Sequence, residues 1–124
     1  MNSIKKISLD TNAGRDFYLL LGDFLDEFYK ASPEDQSAML HDEPADMGES
    51  ECVPFLAATA HKLADDYNLN VPGWVFERRC YLPGSEPFFG CRAKGNLRLL
   101  FMYKSPSEFK HRNLFVDENV LVRV

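Results

Sequence analysis

The chain has 124 residues, 45% of them hydrophobic and 13% aromatic, and a formal net charge of −5. That length supports one hydrophobic core rather than two independent domains, and the aromatic content excludes a globally disordered chain. No apolar run approaches the roughly 20 residues that span a bilayer. The first ten residues carry Lys5 and Lys6 with no apolar stretch behind them, so they do not read as a secretory signal.

Three cysteines, Cys52, Cys80 and Cys91, leave at least one thiol unpaired; reduced thiols in the cytoplasm are the simplest expectation. The charge is uneven: residues 1–66 sum to −9 and residues 67–124 to +4. Such a division predicts a polarised surface if the fold keeps the halves apart; ordinary helix surfaces with mutually neutralising charges are the plainer alternative.

Residues 1–13 read as a tail or leading extended segment, with Asp10, Thr11 and Asn12 as candidate caps for the first helix. From Gly14 to Lys30 the pattern is helical. Phe17, Leu20, Leu21, Phe24, Leu25 and Phe28 recur at three- and four-residue spacing, while Asp16, Asp23, Asp26 and Glu27 fall off that stripe. Ser32-Pro33-Glu34-Asp35 is a helix start, with a capping hydroxyl, proline in the first turn and acids near the positive end of the helix dipole. That helix should run to about His41, and 44–49 should be a loop.

Ser50 is positioned to cap a further helix in which Pro54 is tolerated in the first turn. Phe55, Leu56, Thr59, Ala60, Leu63, Ala64 and Tyr67 form its apolar stripe, and Asn68 is its stop. Residues 70–95 are punctuated by Pro72, Gly73, Pro83, Gly84, Pro87 and Gly90, so no regular helix is expected there. The same segment holds Trp74, Phe76, Tyr81, Phe88 and Phe89, which must cover a core or form a contact surface.

Residues 96–103 are a short apolar run compatible with helix or strand. Asn96 as a cap and the leucine-rich composition favour helix. Ser105-Pro106-Ser107-Glu108 is another helix start, with Glu108 at the capping-box position and Asn113 as the stop. Leu114-Phe115-Val116 reads as an apolar connector. After it, Asp117 caps a final turn or Val120-Leu121-Val122 forms a strand. The predicted fold is therefore mainly α: a helical bundle in one domain, 14–124, with a long irregular aromatic segment.

Candidate reactive residues lack the neighbours their chemistry requires. His41, His61 and His111 show no metal-ligand spacing, and no two cysteines stand two to four residues apart. A Cys80/Cys91/His111 metal cluster is the remaining arrangement, against the plainer reading of small buried thiols. Cys52 and His61 are nine apart on one helix, too far for a nucleophile–base pair along it. The acid pairs Asp26-Glu27, Asp42-Glu43, Asp65-Asp66 and Asp117-Glu118 sit at helix ends and turns, where solvated surface charge is the ordinary role. No nucleophile elbow, phosphate-binding glycine loop or dinucleotide fingerprint is present. No catalytic residue, cofactor or metal is expected.

Eight of the nine basic residues of the second half, Arg78, Arg79, Arg92, Lys94, Arg98, Lys104, Lys110 and Arg112, interleave with aromatics. A pI near 5.1 argues against a nucleic-acid surface. A protein-binding face is the better use, because arginine and aromatic residues anchor interfaces. Trp74, Phe88, Phe89, Arg98 and Arg112 are the expected partner contacts. Burial of the aromatic segment in a homodimer is an alternative, as is a small-molecule pocket lined by it.

Several stretches together carry a resemblance. They are Asp23-Phe24-Leu25-Asp26-Glu27-Phe28-Tyr29, the acidic loop through Asp42-Glu43-Pro44, and Val53-Pro54-Phe55-Leu56-Ala57-Ala58. Asn70-Val71-Pro72-Gly73-Trp74-Val75-Phe76 follows, then Ser105-Pro106-Ser107-Glu108-Phe109-Lys110-His111-Arg112-Asn113-Leu114-Phe115-Val116. In this order they resemble small uncharacterised bacterial proteins, and also the C-terminal module of antitoxin-like regulators encoded beside abortive-infection nucleotidyltransferase toxins. The resemblance runs from about residue 16 onward and implies a protein-binding role. It brings no catalytic residues, and the chain lacks room ahead of residue 14 for the regulators' DNA-binding helix-turn-helix.

Overall fold

In the computed structural model, residues 2–48, 50–83, 87–89, 105–117 and 120–121 are described. The fold is mainly helical, as the periodicity predicts. Four longer helices come first: α1 (Ile4–Asn12), α2 (Phe17–Phe28), α3 (Pro33–His41) and α4 (Cys52–Asp66). Two single 3-10 turns, Gly73–Phe76 and Arg78–Cys80, occupy the irregular segment. A short helix α5 (Ser107–Lys110) and two two-residue strands, β1 (Phe88–Phe89) and β2 (Leu114–Phe115), complete the described part. The strands pair in parallel, Phe88 opposite Leu114 and Phe89 opposite Phe115. The expected helix over 96–103 lies outside the described residues, as do Arg98, Cys91 and Val122.

The N-terminal segment corrects the expectation of a tail. It is a helix capped by Ser3, whose side chain accepts from the Lys6 N–H. Asp10, Thr11 and Asn12, expected as caps of the next helix, are its last turn. Gly14, at φ +102°, ends it. The Arg15 N–H reaches the Asp10 carbonyl at 3.1 Å and the Gly14 N–H reaches Thr11 at 3.0 Å, a Schellman closure that satisfies carbonyls left over at the helix end. Ile4 and Ile7 are buried in the core. Ser8 is buried too, and its hydroxyl accepts from the Ala45 N–H at 2.8 Å, tying α1 to the loop after α3. Two isoleucines among lysines make too faint a stripe to announce a helix; docking supplies what propensity does not.

The next two helices start where the side chains dictate. Asp16 caps α2 by accepting from the Leu19 N–H at 3.0 Å. Ser32 caps α3, with Pro33 in the first turn and Glu34 and Asp35 behind it. Gln36, buried on α3, donates to the Phe28 carbonyl at 3.0 Å and so satisfies the end of α2.

The core centres on α4. Every residue from Val53 to Ala60 is buried, with Leu63 and Ala64 beyond them. A helix apolar on all sides has to be surrounded. Here α1, the two 3-10 turns and α5 pack against it, and the small side chains Ala57, Ala58 and Ala60 let them come close. Asn68, at φ +56°, stops α4 with the same closure as α1, the Leu69 N–H bonding the Ala64 carbonyl at 2.8 Å.

Ser105 departs from its expected role. It is buried and does not cap α5. Its hydroxyl donates to the Val116 carbonyl at 2.9 Å and accepts from the Val116 N–H at 2.8 Å. Helix α5 itself is one turn long and has no side-chain cap. At the end of the described chain, the Val120 N–H bonds the Asp117 carbonyl at 3.1 Å, and Val120 and Leu121 lie in a turn; Val122, the last residue of the alternative strand, lies outside the described residues.

Candidate binding groove and the buried arginine

The run Phe17-Tyr18-Leu19-Leu20-Leu21 puts five apolar residues in succession on a helix that buries one face. Phe17, Leu20 and Leu21 go inward; Tyr18 and Leu19 are left outside, 52% and 72% exposed. Tyr18, Leu21, Gly22 and Leu25 form one wall of a groove of about 310 Å³. Phe55 of α4, Phe88 of β1, and Val116, Asp117 and Val120 complete its lining. At Gly22 the wall is bare backbone.

An aromatic chain stiffens this wall. Tyr18 meets Phe55 edge-on at 5.9 Å. Phe55 in turn contacts Phe88 at 6.5 Å and Phe109 at 5.1 Å, both edge-on. Burial first, then the neighbouring Glu51, Cys52 and Asp16, push the Tyr18 phenol above its ordinary pKa, so it stays a neutral hydrogen-bonding group. The lining is thus mostly apolar, with a hydroxyl and one carboxylate to orient whatever enters.

The four expected contact residues that are described, Trp74, Phe88, Phe89 and Arg112, do not assemble there. Phe88 lines the groove. Phe89 is half-buried and stacks on Phe115 at 5.2 Å. Trp74 is an interior residue, 8% exposed, and its indole N–H donates to the Leu40 carbonyl at 3.1 Å. Arg112 is deeper still, 1% exposed. Trp74 turns inward because the irregular segment folds back over α4, while Phe76 and Tyr81 of the same segment stay exposed; Arg112, which follows α5, is interior because backbone carbonyls of Val75 and Glu108 receive its guanidinium. Sequence reading missed Tyr18, Leu21, Gly22, Leu25, Val116 and Val120. The usable signal was the five-residue apolar run, which exceeds what one buried helix face accommodates.

Arg112 builds a second polar centre inside the fold. Its Nη2 donates to the Val75 carbonyl at 2.9 Å and its Nη1 to the Glu108 carbonyl at 2.8 Å. Nη1 also meets His61 Nδ1 at 3.2 Å. The Tyr81 ring covers the guanidinium at 4.9 Å, while Nε has no partner. No carboxylate lies within ion-pair distance of it among the described residues.

The other candidate chemistry is dispersed. The Cys80 thiol is buried, 3.3 Å from the Trp74 carbonyl, and burial pushes its pKa up to about 11. His111 is exposed and Cys91 lies outside the described residues, among which no three metal-ligating side chains converge. Cys52 and His61 are separated by about 13 Å along α4. Asp66 pairs with Lys62 at 2.9 Å and Glu43 with Arg79 at 3.5 Å. Arg112, being interior, contributes nothing to a basic face. Among the described residues no helix is long and apolar enough to cross a membrane. Comparison with protein-family models, curated proteins and solved structures finds no match to this chain.

Proposed function

We propose that this domain is a non-catalytic protein-binding module, antitoxin-like or accessory in role. Its groove beside α2 receives an apolar element of a nucleotidyltransferase-type partner in the cytoplasm. The observation that carries the reading is Leu19, 72% exposed, directly after the groove residue Tyr18. Burying a leucine is worth about 1.5–3 kcal/mol, and a complex would recover what the monomer leaves in water. The sequence resemblance supplies the kind of partner.

Co-expression with the neighbouring gene product tests it. The pair should co-purify, the domain should relieve the partner's toxicity, and Leu19→Glu should abolish both without altering the thermal unfolding of the domain. Absence of co-purification, or a Leu19→Glu variant that binds as well as the parent, overturns the proposal. A second reading rests on the groove's volume of about 310 Å³, which falls within the range of small-molecule sites. A ligand there would raise the unfolding temperature of the isolated domain and shift the NMR signals of Phe88 and Val116.

A further inference from the structure

Arginine has no acceptor and does not lose its proton in proteins. The 3.2 Å contact between Arg112 Nη1 and His61 Nδ1 therefore requires Nδ1 to be the acceptor, with the imidazole neutral. The ring proton then sits on Nε2, 3.5 Å from Asp65 Oδ2. His61 thus lies between a buried cation and a half-exposed carboxylate, with each ring nitrogen assigned by its neighbour. The remaining charged or titratable groups around this contact come from each packed element. His111, after α5, faces His61 itself; Glu108 on α5 and Cys80 and Tyr81 from the irregular segment face Arg112, and Lys62 on α4 faces Glu108.

What this arrangement holds together is specific. Arg112 Nη2 binds the Val75 carbonyl in the first 3-10 turn. The Leu82 N–H binds the Arg112 carbonyl at 3.2 Å. His61 itself meets Phe76 edge-on at 5.2 Å. Arg112 therefore fastens the segment 73–82 to α4 and α5, through its guanidinium at Val75 and its backbone carbonyl at Leu82. A proton on Nδ1 removes an acceptor from Arg112 and sets two cations in contact in a poorly hydrated place, where Nε already lacks a partner.

We infer that the His61–Arg112 contact is an acid-sensitive latch, whose protonation releases the segment 73–82 from the helical core. Burial and Arg112 hold His61 below its ordinary pKa, with Asp65 opposing them and His111 reinforcing them. The opened state binds the proton more tightly than the closed one. Opening therefore grows as pH falls below imidazole's ordinary value near 6.5, by up to about tenfold per pH unit. Above that value the latch is closed.

The chain's single tryptophan is a built-in reporter, because Trp74 lies in the latched segment and is buried. Its emission and the amide hydrogen exchange of residues 73–82 are followed from pH 7.5 to 5.0. The parent protein should show a red shift and faster exchange that begin near pH 6.5. In His61→Gln, which keeps an acceptor and cannot be protonated, both should stay flat. In Glu108→Gln, which removes the carboxyl raised by burial and by its hydrogen bond to Asp65, the response should persist. A flat profile in the parent, the same profile in His61→Gln, or its loss in Glu108→Gln overturns the latch. So does a ring-nitrogen NMR spectrum of the parent at pH 7.5 with the proton on Nδ1, a measurement that needs no variant.

Discussion

Ser105→Ala is the sharpest probe of how the C-terminal part is held. The hydroxyl is buried and makes two reciprocal bonds with one residue, 2.9 Å to the Val116 carbonyl and 2.8 Å from the Val116 N–H. Alanine removes both partners without opening room for water. A buried backbone group left unpaired costs about 1–3 kcal/mol. The N–H, with no other acceptor among the described residues, bears most of that cost, and the carbonyl, with two lone pairs, somewhat less. The expected loss is about 2–4 kcal/mol, which with a urea m-value of about 2 kcal/mol/M lowers the midpoint by roughly 1–2 M. Ser107→Ala, at an exposed position that begins α5, should stay within about 0.5 kcal/mol. Equilibrium urea unfolding of the two variants beside the parent makes the comparison. If Ser105 acted as a helix cap instead, its loss would cost about 1 kcal/mol. A measured value of that size or smaller refutes the clip.

Two further outcomes are expected. Gly14→Ala should destabilise by about 1–2 kcal/mol in thermal unfolding although no atom lies within 4 Å of the added carbon, because φ +102° is strained for any side chain. An unchanged melting temperature would contradict the closure described for α1. The Cys80 thiol should resist iodoacetamide at pH 8 in the native protein and react in urea, read by peptide mass spectrometry. Its folded pKa of about 11 lies above the unfolded value near 9. The folded state therefore holds the proton more tightly, and stability should be intact below pH 9 and decline between 9 and 11. Native labelling at the unfolded rate, or stability rising across that window, would count against the buried thiol.

The legible parts of this protein are those whose signals are local. The stripe of Phe17, Leu20, Leu21, Phe24, Leu25 and Phe28 requires a helix whatever surrounds it. Ser32-Pro33 fixes the start of α3, and Asn68 stops α4 because its backbone tolerates a left-handed conformation. The candidate groove was half legible: Phe88 stands out in the sequence, while the wall contributed by α2 does not. Aromatic residues on an irregular segment advertise burial of some kind, but not the direction in which each ring turns.

That direction was decided by tertiary structure. Trp74 and Arg112 turned inward because acceptors waited for them on other elements, the carbonyls of Leu40, Val75 and Glu108. Ser105 abandoned the cap its neighbours suggested because Val116, eleven residues away, offered it two bonds instead of one. Ile4–Asn12 became a helix because Ile4, Ile7 and Ser8 found a core and a loop to dock on. The sequence by itself determined the mainly helical class and the bounds of its strongest helices, since spacing and caps act within a turn or two of chain. Only the tertiary structure decided which polar and aromatic side chains are interior, because that depends on partners far apart in sequence.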